Sequence, residues 1–171
     1  MTTLRCTAKY RRSFHLPETL PEPGAPQLIL GEWYANTLTI ERQKYLHYMS
    51  GRALLSVVIW HREGKTAEKR LLSALRDLLR HLHVPTSAID AELSQMASFE
   101  YARASNRSVQ ASMRDQAFLA KYAILGRRAE SPWDLSLLLA QTPCGPLGYR
   151  SPDQLVPELF AAGAIVPVGG A

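Results

Sequence analysis

The sequence predicts an α+β fold, an antiparallel β-meander covered on one face by several helices, on three observations. Aromatic and β-branched residues dominate Trp33 to Trp60, leucines recur at helical spacing from Leu71 to Leu82, and polar capping residues open a further helix near Asn106. Residues 1–162 are expected to form a single domain. The uncharged Gly-, Ala- and Val-containing stretch 163–171 reads as a flexible tail.

Taken in order, residues 4–9 have the makings of a short first strand. Pro17, Pro21, Pro23 and Pro26 then impose an extended connection with little hydrogen bonding. In Trp33–Ile40, Tyr34, Leu38 and Ile40 share one parity, as a strand with one apolar face requires. Glu41-Arg42 falls where a tight turn belongs, Lys44–Met49 forms the next strand, and Ser50-Gly51-Arg52 marks a second turn. Leu54–Trp60 is a continuous apolar run, the pattern of a strand covered on both faces.

Helices follow. Thr66 is placed to cap one, with Glu68 in its first turn and Leu71, Leu75, Leu78, Leu79 and Leu82 along one side, until His83-Val84-Pro85 stops it. Ser87-Ala88-Ile89-Asp90 reads as a capping box, and Ile89, Leu93 and Met96 give the next helix its apolar side. Phe99–Arg103 suits a returning strand. Asn106 or Ser108 starts a long helix running to about Leu125, with Gly126 as its stop. Ser131-Pro132 and Ser151-Pro152 repeat the starting signal, and Pro157 is expected to interrupt any long final helix. The helices over 66–83, 87–97 and 106–125 are expected on one face of the sheet.

Composition excludes several classes. With 46% hydrophobic and 20% charged residues in 171, the chain is an ordinary globular one, not a disordered one. A net charge of +5 and a pI near 9.4 favour acidic partners, whether an acidic protein, nucleic acid or an anionic surface. Cys6 and Cys144 form no CxxC pair and read as reduced, buried thiols. Arg5, Lys9, Arg11 and Arg12 precede no apolar segment, and no apolar run has spanning length, so a cytoplasmic protein without membrane partners is expected. His81 and His83 fall on different helix faces and there is no HExxH, so neither a metal nor a cofactor is expected.

The candidate binding residues are Trp33, Tyr34, Asn36, Asn106, Arg107, Ser108, Arg114 and Asp115. Asn106-Arg107-Ser108 stands at a helix start, where free N–H groups and the dipole favour anions; capping plus a structural Arg is the competing reading. Arg107 is expected to reach Asp115, Glu100 or Glu32, beside the Trp33–Asn36 strand. Arg107, Arg114, Lys121 and Arg128 recur every seven residues, drifting about 20° per heptad, which makes a basic stripe or simply a solvated face. A helix-turn-helix over 67–97 is disfavoured, because its second helix carries Asp90 and Glu92 and no cation. The aromatics Trp33, Tyr34, Tyr45, Tyr48 and Trp60 suit a core better than a base-stacking platform. His47 and His61 are the available general bases, though a structural role fits each better. Cys144, in a loop, lacks a placed base for nucleophilic work.

Several blocks together resemble a family. These are Leu4-Arg5-Cys6-Thr7-Ala8-Lys9, Leu30-Gly31-Glu32-Trp33-Tyr34-Ala35-Asn36 through the meander, Asn106-Arg107-Ser108-Val109 with Ser112-Met113 and Asp115, and Thr142-Pro143-Cys144. They are similar, in order over most of residues 4–160, to a bacterial domain-of-unknown-function family of chromosomal and mobile-element proteins. The family pattern has Gly where Ala111 stands and Asn where Arg114 stands, so the basic stripe is peculiar to this chain. The resemblance implies an α+β fold in a bacterial cytoplasm, and no activity. The expected function is a non-enzymatic interaction protein, a partner in a mobile-element or stress system, with a metal-independent ribonuclease or toxin acting on RNA as the alternative.

Overall fold

In the computed structural model, which describes residues 1–62 and 66–163, five strands form one mixed sheet. They are β1 (Thr2–Cys6), β2 (Trp33–Ile40), β3 (Gln43–Ser50), β4 (Ser56–Trp60) and β5 (Phe99–Arg103), in the order β4-β3-β2-β1-β5. The α+β class holds, and residues 33–60 do form an antiparallel meander. Glu41 and Arg42 both adopt positive φ at its first turn, the backbone that matches strand twist in a two-residue hairpin.

The sheet is not a meander alone. β1 pairs in parallel with both β2 and β5, Leu4 standing opposite Trp33 and Tyr101. The first strand is therefore nearly central, begins at Thr2, and yields to a helix before Lys9 is reached. Four strands run one way, and β3 alone runs against them.

The helices are α1 (Ala8–Ser13), α2 (Ala67–His81), α3 (Thr86–Gln95), α4 (Arg107–Leu125), α5 (Pro132–Ala140) and α6 (Pro152–Ala162). They cover both faces of the sheet, which corrects the one-sided layering. Both parities of the meander are apolar, so both need covering. Leu4, Cys6, Trp33, Ala35, Leu46, Tyr48, Val57 and Ile59 pack with Leu71, Leu75, Leu78 and Leu79 of α2, Ile89 and Leu93 of α3, and Val156 and Phe160 of α6. On the opposite face, Leu38, Ile40, Tyr45 and Val58 meet Ala120 and Ala123 of α4 with Leu135 and Leu139 of α5. Arg76 pairs with Asp90 at 2.5 Å, and α2 and α3 pack as a helical hairpin.

Several caps depart from expectation. Thr66 is not extended and makes no capping bond; its hydroxyl accepts from Arg70 Nε at 3.4 Å. α3 begins at Thr86 after Pro85, so Ser87 lies inside the helix and no capping box forms there. α4 is capped by Asn106 and ends at Gly126, but Arg127, not the glycine, adopts the left-handed backbone. α6 opens with the Ser151–Gln154 capping box and continues through Pro157, losing one bond to the Asp153 carbonyl while Val156 and Phe160 stay packed. Cys6 and Cys144 are free and buried. Gly64, and the tail beyond Gly163, lie outside the described residues.

Candidate functional site

The sequence candidates divide between packing and solvent. Trp33 and Tyr34 point to opposite faces of β2 and both are buried. Trp33 sits in the core against α2 and α3, its Nε1 without a hydrogen-bond partner among the described residues. Tyr34 lies under α4 with Val109 and Met113. Its hydroxyl is hydrogen-bonded by the Asn106 backbone N–H and the Ser105 side chain, while burial, then Glu32, pushes the phenol up. The strand block and the helix start are thus neighbours. Asn36 Oδ1 accepts from Thr7 Oγ1 at 2.7 Å and from its neighbour Thr37 N–H at 2.9 Å, tying β2 to the start of α1. Asn106 Oδ1 caps α4 by accepting from Val109 N–H at 3.1 Å. These four residues hold the fold.

Arg107, Ser108, Arg114 and Asp115 face solvent. Arg107 pairs with no described carboxylate, which corrects the expected buried ion pair. Its named partners are engaged elsewhere or remote: Glu32 holds Arg5, Glu100 accepts from Thr3 Oγ1 at 3.1 Å, and Asp115 is exposed. The reason is angular. At 100° per residue, Arg107 stands opposite the buried arc of Val109, Ser112, Met113, Gln116, Ala120 and Ala123.

The same outward arc collects unusual company. Phe118, Tyr122 and Leu125 are 60%, 51% and 46% exposed, and the rings of Phe118 and Tyr122 meet edge to face at 4.8 Å. Arg107, Arg114 and Lys121 lie within the same stripe, exposed and without an ion pair to any described residue. Sequence reading found the cations. It missed the aromatics, which at i and i+4 carry the same helical signal.

Between sheet and α4 runs a buried polar chain. His47 Nε2 lies 2.7 Å from Ser56 Oγ, which donates to Gln116 Oε1; Gln116 Nε2 in turn donates to the Leu54 carbonyl at 3.5 Å and reaches Cys144 Sγ at 3.7 Å. A His–Ser contact suggests nucleophilic chemistry, but both residues are fully enclosed, and burial depresses the His47 pKa to about 4. Cys144 is buried, as expected from the sequence, and burial raises its thiol pKa. The chain is structural.

A second site lies where β1, β2, β4 and β5 end. A cleft of about 930 Å³ opens there between α1, the exit of β4 and the start of α2, lined by Arg12, Phe14, Lys44, His61, Arg62 and Glu68 among others. Glu68 accepts a short hydrogen bond from Tyr101, whose phenol burial and that carboxylate push up. Tyr10 and Tyr48 hydroxyls meet at 2.9 Å behind it. Sequence reading weighed His61 as a general base but did not join it to the others, because they come from four separate elements and share no spacing.

Among the described residues no cluster of His, Cys, Asp and Glu is placed to hold a metal, and no helix is long and apolar enough to cross a membrane. Compared with known proteins, residues 3–155 match the model of a family whose function is unknown. The chain belongs to DUF6933, a domain of unknown function. No curated protein matches it. The DUF6933 match runs from β1 into the first turn of α6, so the α4 face and the cleft both lie within the family's own segment.

Proposed function

We propose that this DUF6933 protein is a non-enzymatic interaction protein of the cytoplasm that docks an acidic protein partner on the outward face of α4. One observation carries the reading: three large apolar side chains and three cations without an ion pair among the described residues share a single stripe opposite the buried side of the helix. Exposed aromatics beside basic residues are the makings of an interface centre with an electrostatic rim. The cations would steer and orient an acidic surface, while Phe118, Tyr122 and Leu125 would supply the buried anchor. Arg107 and Arg114, among the sequence candidates, belong to the rim, and Tyr34 supports α4 from beneath.

The rival reading, a metal-independent ribonuclease or toxin, needs a base beside a phosphate-binding cation. His47 is enclosed, and His61 follows the exit of β4 while Arg107 starts α4 over Tyr34 and Met49 at the other end of β2. A nucleic acid stacking its bases on Phe118 and Tyr122 is the outcome that nuclease treatment distinguishes from an acidic protein.

The test is capture from nuclease-treated lysate by wild-type protein and by two variants, Phe118→Ser/Tyr122→Ser and Arg114→Glu/Lys121→Glu. The expected result is an acidic protein retained by the wild type and lost from both variants. Retention by both, or loss on nuclease treatment alone, defeats the reading.

A further inference from the structure

We propose that the cleft at the carboxyl edge of the sheet binds a small phosphate-bearing ligand with a flat ring, in chemical class a nucleotide. The inference is independent of the α4 face, which lies on other elements. Position is the first argument. β1, β2, β4 and β5 all point their C-terminal ends at this edge, the place where sheets with parallel strands gather ligands. The cavity, at about 930 Å³, has the size of a small-molecule site.

Charge is the second. Arg12 from α1, Lys44 from β3 and Arg62 after β4 converge on the cleft, and none pairs with a described carboxylate. The neighbouring hollows that share Arg12 add Lys9, Arg11 and Arg103 against one carboxylate, Glu18. Arg11 Nη1 is buried and finds no acceptor among the described residues. Arg5, Arg76 and Arg150 each hold a carboxylate, whereas the cations of the cleft, like those of α4, hold none among the described residues. What sets the cleft apart is that its cations come from separate elements onto one cavity. Glu68, the carboxylate lining the cleft, is already engaged by Tyr101. Unpaired cations drawn from three elements around one cavity fit a multiply charged, many-oxygen anion better than a single carboxylate, which one bidentate Arg would satisfy.

Aromatic geometry is the third. Phe14 and His61 both line the cleft, half-buried, with ring centroids 5.7 Å apart and planes 33° from parallel. Phe14 is stacked on Tyr10 at 4.5 Å, and Tyr10 is fixed in turn by its bond to Tyr48. A rigid aromatic wall beside phosphate-binding cations is suited to stacking a base while holding its phosphate. Glu68, beside them, can accept from a sugar hydroxyl or a ring N–H.

The experiment is calorimetric titration of the full chain with adenosine monophosphate, adenosine and inorganic phosphate as separate probes. Adenosine monophosphate is expected to bind more tightly than roughly 1 mM, with adenosine and phosphate each weaker by at least about tenfold. Arg12→Ala/Lys44→Ala should weaken the nucleotide by at least about tenfold at unchanged circular dichroism, and His61→Ala should reduce it as well. Arg114→Glu on α4 should leave it unchanged. Failure of the nucleotide to bind at millimolar concentration, or binding indifferent to Arg12→Ala/Lys44→Ala, overturns the proposal. Equal affinity for nucleotide and inorganic phosphate overturns its ring half.

Discussion

Arg5 and Glu32 form a two-point ion pair at the edge between β1 and the loop entering β2, with Nε 2.5 Å from Oε2 and Nη2 3.2 Å from Oε1. Arg5 Nη1 also donates to the Arg103 carbonyl at 3.0 Å, so one side chain ties three parts of the sheet together. Burial works against the Arg5 charge, and the Glu32 hydrogen bond and charge outweigh it, leaving its pKa raised. The two side chains keep only 11% and 16% of their exposure. Removing either partner strands a largely desolvated charge.

Arg5→Ala or Glu32→Ala should therefore each cost about 3 kcal/mol in urea unfolding. The double variant should cost less than the sum by about 1–2 kcal/mol, because each change alone removes the same interaction. Strict additivity would mean that the pair contributes no coupling and that Arg5 acts through its bond to Arg103 and its longer contact with Glu22.

That pair explains what the sequence disclosed and what it hid. The meander and the long helices were readable because their signals are local: turn residues at Glu41-Arg42, leucines in register from Leu71, Asn106 before Val109. The central place of β1 was not readable. Arg5 reads as a surface residue until its side chain is seen to meet Glu32, and no local pattern reports the parallel pairing of Leu4 with Trp33. The expected partnership of Arg107 with a carboxylate had the right chemistry and the wrong arginine. Arg107 turned outward because Val109, Met113, Ala120 and Ala123 set which arc of α4 meets the sheet, and Arg107 stands opposite it. The cleft was invisible for another reason: Arg12, Lys44 and Arg62 become neighbours only after the strand ends are brought to one edge.

Stability should fall below neutral pH through His47. Burial depresses its pKa to about 4, below the ordinary value near 6.5, so the unfolded chain binds the proton more readily. The contribution is complete above about pH 6.5 and is lost as pH falls towards 4, amounting to about 3 kcal/mol across that window. Denaturant unfolding of wild type and His47→Leu at several pH values isolates it, since the variant should show a shallower slope between pH 6.5 and 4. Parallel curves for the two proteins would mean that His47 titrates freely in the folded state.

Ser56 joins His47 to Gln116, so Ser56→Ala should leave two buried polar groups short of a partner. The expected loss is about 2–3 kcal/mol, far more than a methyl-sized change in an apolar site. A further signature separates this from simple packing loss: Ser56→Ala should change the His47 titration followed by NMR, whereas Val57→Ala, on the opposite face, should not.

Thiol chemistry should be slow in the native protein. Burial pushes the Cys6 thiol up to about 12 and raises that of Cys144, so neither supplies thiolate near neutral pH. A chromogenic disulfide reagent should label neither cysteine until denaturant is added, then both. Prompt labelling of one would show that its element opens without global unfolding, and the residue labelled would say whether the β1 edge or the loop before α6 is the one that yields.

Arg107→Ala supplies the sharpest contrast between expectations. A buried ion pair would have made it cost several kcal/mol, whereas an exposed cation without a described partner should change stability by no more than about 0.5 kcal/mol. The same holds for Phe118→Ser and Tyr122→Ser, whose rings meet each other edge to face and stand about half in solvent. Residues that can be removed without loss of stability, and that nevertheless place three cations and three apolar side chains on one stripe, have no role in holding the fold. Thermal unfolding of the three variants decides it. Unchanged midpoints leave the stripe free for a partner, and a drop of several degrees in any of them would assign that residue to the fold.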